Sequence, residues 1–459
     1  MRSLFLILFI MFSLFISCSK EIVIPIIVTT DVHGAFENLA SVSTLVNEKR
    51  NENNDLILFD NGDFLQGTPM LYYFNNISTK EMNVASVMMN YMKYDAANVG
   101  NHDIETGRSV YKKVESEFLF PFICANINGM KIPQTLFKPY AIINRNSLKI
   151  AVLALTTHNS EKALKPEESK QTIVEQMSES AKKWIKVIRL KEKPDAIIGL
   201  FHEGLEISQK VVENTDGFDI VFIGHDHLKH KVTAKSPAGK EVLILGASDR
   251  AESIISAEIR FKSGMKKITG DVTGVSGIMA DEGFEQKIRK YRELSDNYEN
   301  TVVADIGAVE SETSIIDIIH STLKKLTNAD ISITAPVAKT VSITAGKVTN
   351  RDLFNFYPFD NHPVVLKLSG LEIAKLINYS ETLQKSHGKY KRLYNDLSAV
   401  YYVPTPLEND LFYTVAMNSY HANNGGSMLS NGAGLSETEI NQRVVKIYPE
   451  NIRDHLFGN

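Results

Sequence analysis

Short apolar runs alternate with amphipathic stretches from Ile22 to about Gly274. Residues 22–29, 56–60, 150–155, 196–200 and 220–223 are each about the length of a buried strand and too short for a typical helix. Between them the spacing predicts helices, most clearly where Met177, Ala181, Trp184 and Ile188 recur at i, i+4, i+7 and i+11 on an otherwise charged segment. Such alternation folds into packed layers of sheets and helices, so the expected class is α/β (α+β). A charged stretch follows, in which Phe284, Ile288, Tyr291 and Leu294 fall on one helical face. It reads as a linker helix over 280–300, between a first domain over 22–278 and a second αβ domain over 301–459. Further helices are expected near 314–326 and 370–380.

The amino terminus has a different pattern. Arg2 precedes an apolar run over 4–16 broken only by Ser13, and Ser17 and Cys18 follow. That run is shorter than the roughly 18 to 20 residues a spanning helix needs, so residues 1–18 read as an export signal. The order Leu14, Phe15, Ile16, Ser17, Cys18 is similar to a bacterial lipoprotein processing site. It implies cleavage before Cys18, acylation of its thiol, and a lipid anchor in the cell envelope. Cys124 is then the only thiol left, so no internal disulfide supports the fold. A net charge of −4 lacks the basic footprint of a nucleic-acid binder. A polymer partner is therefore not expected, and no obligate protein partner is implied.

Candidate chemistry sits just after the predicted strands. Asp31 and His33 lie in TTDVHG, Asp63 in DNGDFLQGTP, Asn101 and His102 in VGNHD, His202 in LFHEG, and His225 and His227 in IGHDH. Loops at the carboxyl ends of strands in an open αβ sheet converge on one crevice, where groups distant in sequence meet. Alternating Asp-x-His and His-x-His can aim two ligands the same way, and a carboxylate such as Asp63 has two oxygens with which to bridge two cations. A metal pair about 3.5–4 Å apart would clamp a phosphoryl group and acidify a water for in-line attack. Any one motif alone is an ordinary turn. Five of the twelve histidines in such settings are not.

With these motifs in hand, the chain resembles the calcineurin-like metallophosphoesterases. Within them it is similar to the exported family of 5′-nucleotidases, UDP-sugar hydrolases and 2′,3′-cyclic-nucleotide 2′-phosphodiesterase/3′-nucleotidases. The resemblance implies a four-layer αββα first domain and a second, nucleotide-binding αβ domain. It implies two divalent ions (Mn, Zn, Co or Fe), one on Asp31, His33, Asp63 and His227 and the other on Asp63, Asn101, His202 and His225. It gives His102 a role at the phosphate and leaving oxygen, with Glu105 or the nearer Asp103 as its acidic partner. Small nucleotides are the implied substrates. Tyr420 in NSYHANNGG, with Asn418, Gly425 and Gly426, would bind the nucleoside, and Asn361 closes a second matching segment. Tyr390, Tyr394 and Tyr401 stay open as a further stacking ring. Where 5′-nucleotidases carry an arginine loop, this chain has ITAPVAKT, with Ala335, Pro336, Lys339 and Thr340, and so lacks a bidentate phosphate donor. The specificity therefore leans to the cyclic phosphodiesterase/3′-nucleotidase branch, with 5′-nucleotidase or UDP-sugar hydrolase as the alternative. A non-catalytic surface lipoprotein that binds nucleotides or a partner is the competing class, and a single-metal site the plainer version of the centre.

Overall fold

A computed structural model describes residues 21–130, 135–158, 160, 171–307, 312–334, 346–386, 400–402, 406–424 and 428–457. Two six-stranded sheets form the centre of the first domain. One runs, across its width, Met265–Gly274, Ser253–Lys262, Ile22–Thr29, Ile57–Asp60, Ala96–Asn98 and Phe122–Ile123. The other runs His230–Lys235, Glu241–Gly246, Ile220–Ile223, Ala196–His202, Leu148–Thr156 and Tyr140–Arg145. The central strands of each pair in parallel. Five of them, Ile22–Thr29, Ile57–Asp60, Leu148–Thr156, Ala196–His202 and Ile220–Ile223, contain the runs that read as apolar, as strands covered on both faces must, while Ala96–Asn98 and Glu241–Gly246 are not among the expected strands.

Each sheet faces the other through one side and helices through the opposite side. Ile24, Ile26, Val28 and Phe59 pack against Val152, Ile198, Leu200 and Phe222 between the sheets. The outer face of the first sheet is covered by Phe36–Glu52, Val84–Met92 and Glu282–Glu299. Met177–Lys191 and Leu205–Glu213 cover the second. The first domain thus has the four layers αββα.

The helix Glu282–Glu299 is more than a connector. Phe284, Ile288 and Tyr291 enter the first domain's core. Its cap, Asp281, accepts from Gly283 N and Phe284 N and also from Ser43, Asn47 and Tyr91 of the first domain. One expectation fails here. Leu294 is 37 % exposed and Ser295 is buried in its place, because 284, 288, 291 and 295 follow the helical stripe while 294 has rotated off it.

The second domain is built on one five-stranded sheet, in the order Val400–Tyr402, Ile331–Thr334, Phe412–Asn418, Pro363–Ser369 and Val444–Ile447. Gly370–Ser386 and the π-helical turn Met428–Ala433 lie on one face. Glu312–Thr327 and Asn350–Phe356 lie on the other. No helix among the described residues is long and apolar enough to cross a membrane.

Candidate metal centre

The strands Ile22–Thr29, Ile57–Asp60, Ala96–Asn98, Ala196–His202 and Ile220–Ile223 all end at the same edge of the sandwich, and the loops leaving them interlock. Two buried asparagines set the spacing between the sheets. Asn98 Nδ2 donates to Asn61 Oδ1 (3.1 Å) and to the carbonyls of Leu155 (2.9 Å) and Leu200 (3.1 Å) in the opposite sheet. Asn61 Nδ2 donates to Phe201 O at 2.9 Å. Close approach also requires glycine. A Cβ on Gly100 would meet Asp63 Oδ1 at 2.1 Å, and one on Gly224 would meet Thr30 Oγ1 at 2.1 Å. Asp31, His33, Asp63, His225 and His227 all have positive φ, between 47° and 72°. L-residues adopt that backbone at a cost, and it turns successive side chains inward.

Two clusters of ligand atoms result: Asp31, His33 and His227 in one, Asp63, His202 and His225 in the other. Asp63 Oδ2 lies 3.1 Å from His202 Nε2 and 3.9 Å from His33 Nε2, so it faces both. Asp31 Oδ1 lies 3.4 Å from His227 Nε2 and 3.9 Å from His202 Nε2. Asn101 Oδ1 stands 3.2 Å from His202 Nε2. The structure therefore brings together all seven residues that the sequence nominates as ligands.

Their outer nitrogens are held as metal-binding imidazoles require. His202 Nδ1 is 2.8 Å from Asn61 O and His33 Nδ1 is 3.1 Å from Gln66 O, which turns each Nε2 inward. His227 Nδ1 faces Asp249 Oδ2 at 3.7 Å. The loop carrying Asp249 is tied to the centre, since Arg250 N donates to Asp31 O at 2.7 Å.

The residues fit a pair of divalent cations. Asp63 Oδ2 and His33 Nε2 are buried atoms with no hydrogen-bond partner, the condition of donors meant for an ion. Burial pushes the Asp63 carboxyl up, yet His202 and His102 outweigh it and hold the group well below the usual carboxylate range. Burial opposes charge on His202, but Asp63 and Asp31 carry it up to about 10, so this imidazole gives up a proton when an ion takes its Nε2. His33, dominated by burial, is pushed down to about 4 and is neutral, as a ligand must be.

His102 stands beside the clusters. Its backbone N donates to Asp63 Oδ1 at 2.8 Å, and its ring centroid is 5.5 Å from that of His33. Its Nδ1 pairs with Glu105 one turn on. Burial disfavours the imidazolium, but Glu105 and Asp63 overcome this and push it up to about 9. Asp103 is not its partner. Asp103 accepts from the backbone N of Asp63, Phe64, Leu65 and Gly100 at 2.8–3.0 Å, bracketing the loop that presents Asp63.

The second domain reaches this centre through residues 357–361. Gln66 Nε2 donates to Pro358 O at 2.5 Å, and the Phe359 ring lies on His102, with centroids 6.2 Å apart and planes 25° from parallel. Sequence reading did not nominate Phe359, Asp249 or Gln66. Only proximity in the fold reveals them. Of the expected nucleoside contacts, Tyr420 is 48 % exposed. Asn361 and Asn418 are buried, and their amides face inward: both Nδ2 groups lie 3.3–3.4 Å from Tyr357 Oη, Asn361 Oδ1 accepts from Ser419, and Asn418 Oδ1 caps His421 N. That network makes them props of the 357–361 loop. Cys18, Ala335, Pro336, Lys339, Thr340, Tyr390, Tyr394, Gly425 and Gly426 lie outside the described residues, and Tyr401 is described by its backbone strand alone.

Comparison with known proteins agrees with this geometry. Residues 24–229 match the family described as calcineurin-like phosphoesterase, and residues 300–431 match the 5′-nucleotidase C-terminal domain. The chain is 25 % identical to the silent protein UshA(0) of Salmonella typhimurium, over 82 % of this chain and 79 % of that one. It is 24 % identical to a 5′-nucleotidase of Vibrio parahaemolyticus, over 86 % and 83 %. A Staphylococcus aureus structure with α-ketoglutarate bound, provisionally assigned as a 5′-nucleotidase, superposes with a TM-score of 0.78 at 19 % identity, covering 95 % of this chain and 96 % of that one.

Proposed function

Because the chain belongs to the calcineurin-like metallophosphoesterases of the 5′-nucleotidase family, we propose that it hydrolyses nucleotide phosphate esters at the paired clusters that meet at Asp63. The observation that carries this reading is the position of Asp63 Oδ2 between His202 and His33, with His102 alongside. Asp31, His33, Asp63 and His227 would hold one ion, and Asp63, Asn101, His202 and His225 the other. When bound, two divalent ions supply positive charge for the phosphoryl oxygens and lower the pKa of a water. Mn, Zn, Co and Fe all suit the donor set.

The chain's own groups do the rest. Glu105 holds the Nδ1 proton of His102, which leaves Nε2 to face the substrate. As a water oxygen bonds to phosphorus, the ester P–O bond breaks, its electron pair goes to the leaving oxygen, and that oxygen takes the Nε2 proton of His102. The Asp103 bracket keeps Asp63 in its left-handed backbone while this occurs.

For substrate, the relatives' names favour 5′-nucleotides. A second reading, 2′,3′-cyclic and 3′-nucleotides, is favoured by the arginine-free ITAPVAKT segment. Product release from 5′-AMP, 3′-AMP, 2′,3′-cyclic AMP, a UDP-sugar and bis(p-nitrophenyl) phosphate (phosphate from the monoesters, nucleotide monophosphate from the cyclic ester and the UDP-sugar, p-nitrophenol from the last), measured with Mn²⁺ and again with chelator, separates the two. Release from none of them in the metal-loaded protein sinks the catalytic reading and leaves a binding protein. The 1–18 segment carries the chain out of the cytoplasm and leaves it lipid-anchored through Cys18, a reading supported by its charge and apolar pattern. Cys18→Ala then moves the protein from the membrane to the soluble fraction.

A further inference from the structure

Among the described residues Arg453 is the largest fully buried side chain, 1 % exposed, and it sits between the domains. Its guanidinium carbon lies 3.7 Å from the centroid of the Phe354 ring and 4.9 Å from that of Tyr72, a residue of the first domain. The Tyr72 ring is itself stacked on Tyr298 of the connecting helix, with centroids 6.1 Å apart. The Tyr72 and Phe354 rings meet edge to face, with centroids 5.5 Å apart and planes at 66°, and the guanidinium lies against both. A planar, weakly hydrated cation suits such an aromatic corner, and an ammonium does not.

The polar edge of the same guanidinium grips the loop that reaches the metal centre. Nη2 donates to Asp360 Oδ1 at 2.6 Å, and Nη1 lies 3.5 Å from the carbonyls of Pro358 and Phe359. Neighbours of Arg453 hold the same loop: Asn451 Nδ2 donates to Asp360 Oδ1 at 3.1 Å, and Ile452 N donates to Asn361 O at 2.9 Å. Four successive loop residues, 358–361, are thus held, and the ring of Phe359 among them lies beside His102. The same Pro358 carbonyl also accepts from Gln66, whose own carbonyl orients His33.

We propose that Arg453 is a positioning residue that fixes the 358–361 loop against the first domain, so that Phe359 stays beside the His102 imidazole. A cation that is only 1 % exposed needs compensation, and here it has a carboxylate, two carbonyls and two aromatic rings. The consequence is that the second domain holds a ring against the His102 imidazole, whose side chain keeps 21 % of its surface exposed, and so limits the orientations in which its proton meets the leaving oxygen. The kinetic half of this claim rests on the role assigned to His102 above; the structural half does not.

The test is a double-variant cycle on Arg453→Met and Phe359→Ala in the Zn²⁺-loaded protein, with histidine labelled at Cε1 and the His102 signal identified through His102→Asn. Phe359→Ala removes the ring current on His102, so its resonance shifts. Arg453→Met is expected to shift it in the same direction, and the double variant to add nothing to Phe359→Ala alone. In turnover, each single variant lowers kcat/KM roughly tenfold, and the double variant lowers it no further than the worse single. An unmoved His102 resonance in Arg453→Met, or losses that multiply, overturns the proposal. If Arg453→Met does not fold, Asp360→Asn takes its place, since it removes the carboxylate through which Arg453 holds the loop. A wild-type protein that hydrolyses no phosphate ester defeats the catalytic reading, while the resonance cycle still decides the positioning claim.

Discussion

At single residues, function is written in backbone conformation as well as in side-chain type. Five of the seven ligand candidates adopt left-handed φ, a conformation Asp and His tolerate better than most residues. The acidic and imidazole types were legible from the motifs. The strain was not, because it exists only once Asp103 brackets Asp63 and Asp31 receives the backbone N of His225 at 3.1 Å. His102 contacts Asp63 through its backbone, so His102→Asn leaves the ligand set untouched. It is expected to lower kcat roughly a hundredfold at unchanged metal content, measured by steady-state kinetics and elemental analysis of the same sample. Unchanged kcat removes His102 from the mechanism. Asp249 acts at one remove, on the outer nitrogen of His227. Asp249→Asn should weaken metal binding by about 10- to 100-fold, read by titrating the metal-free protein with Zn²⁺. An unaltered affinity makes Asp249 a bystander.

Among elements, the strands were readable because strands buried on both faces are written as unbroken apolar runs, and their ends carry the ligands. The ties between elements were not readable. Asn98 and Asn61 look like turn residues in the sequence, yet they stitch one sheet to the other beneath the site. The role of Gly100 as a gap for Asp63 is likewise a fact about two loops 37 positions apart. In the second domain, the helix Glu312–Thr327 is joined to its sheet by His320, whose Nδ1 lies 2.6 Å from Ser332 Oγ and whose Nε2 is buried without a hydrogen bond. Burial pushes this histidine down to about 4, with Asp317 a smaller opposing influence. Its folded pKa is below the ordinary 6.5, so between those values the unfolded chain binds a proton that the fold refuses. The stabilisation is complete above pH 6.5 and is lost as pH falls toward 4, about 2 kcal/mol by pH 5. Denaturant unfolding at pH 7 and pH 5 checks this. His320→Gln should flatten the difference for the transition of the second domain, and an equal pH slope in both proteins refutes it.

At the level of the whole molecule, two sets of cores meet at one seam. Three clusters fill the first domain and its packed helix Glu282–Glu299, and two fill the second. All the metal candidates lie in the first, between Asp31 and His227. A ligand stabilises only the unit whose folded form binds it. Two sites, each filled at about 100 times the dissociation constant, contribute roughly 5 kcal/mol to the first domain. For a unit of this size that is a shift on the order of 10 °C. Calorimetry of the metal-loaded protein should therefore show a first-domain transition that chelator lowers by this much and Mn²⁺ restores, while the second-domain transition moves little. Its small movement measures how far the seam of Tyr72, Tyr298 and Arg453 transmits the change. Equal displacement of both transitions would mean that the seam, not the separate cores, sets the cooperative unit. No displacement of either would mean that the Asp63 clusters do not bind cations in solution.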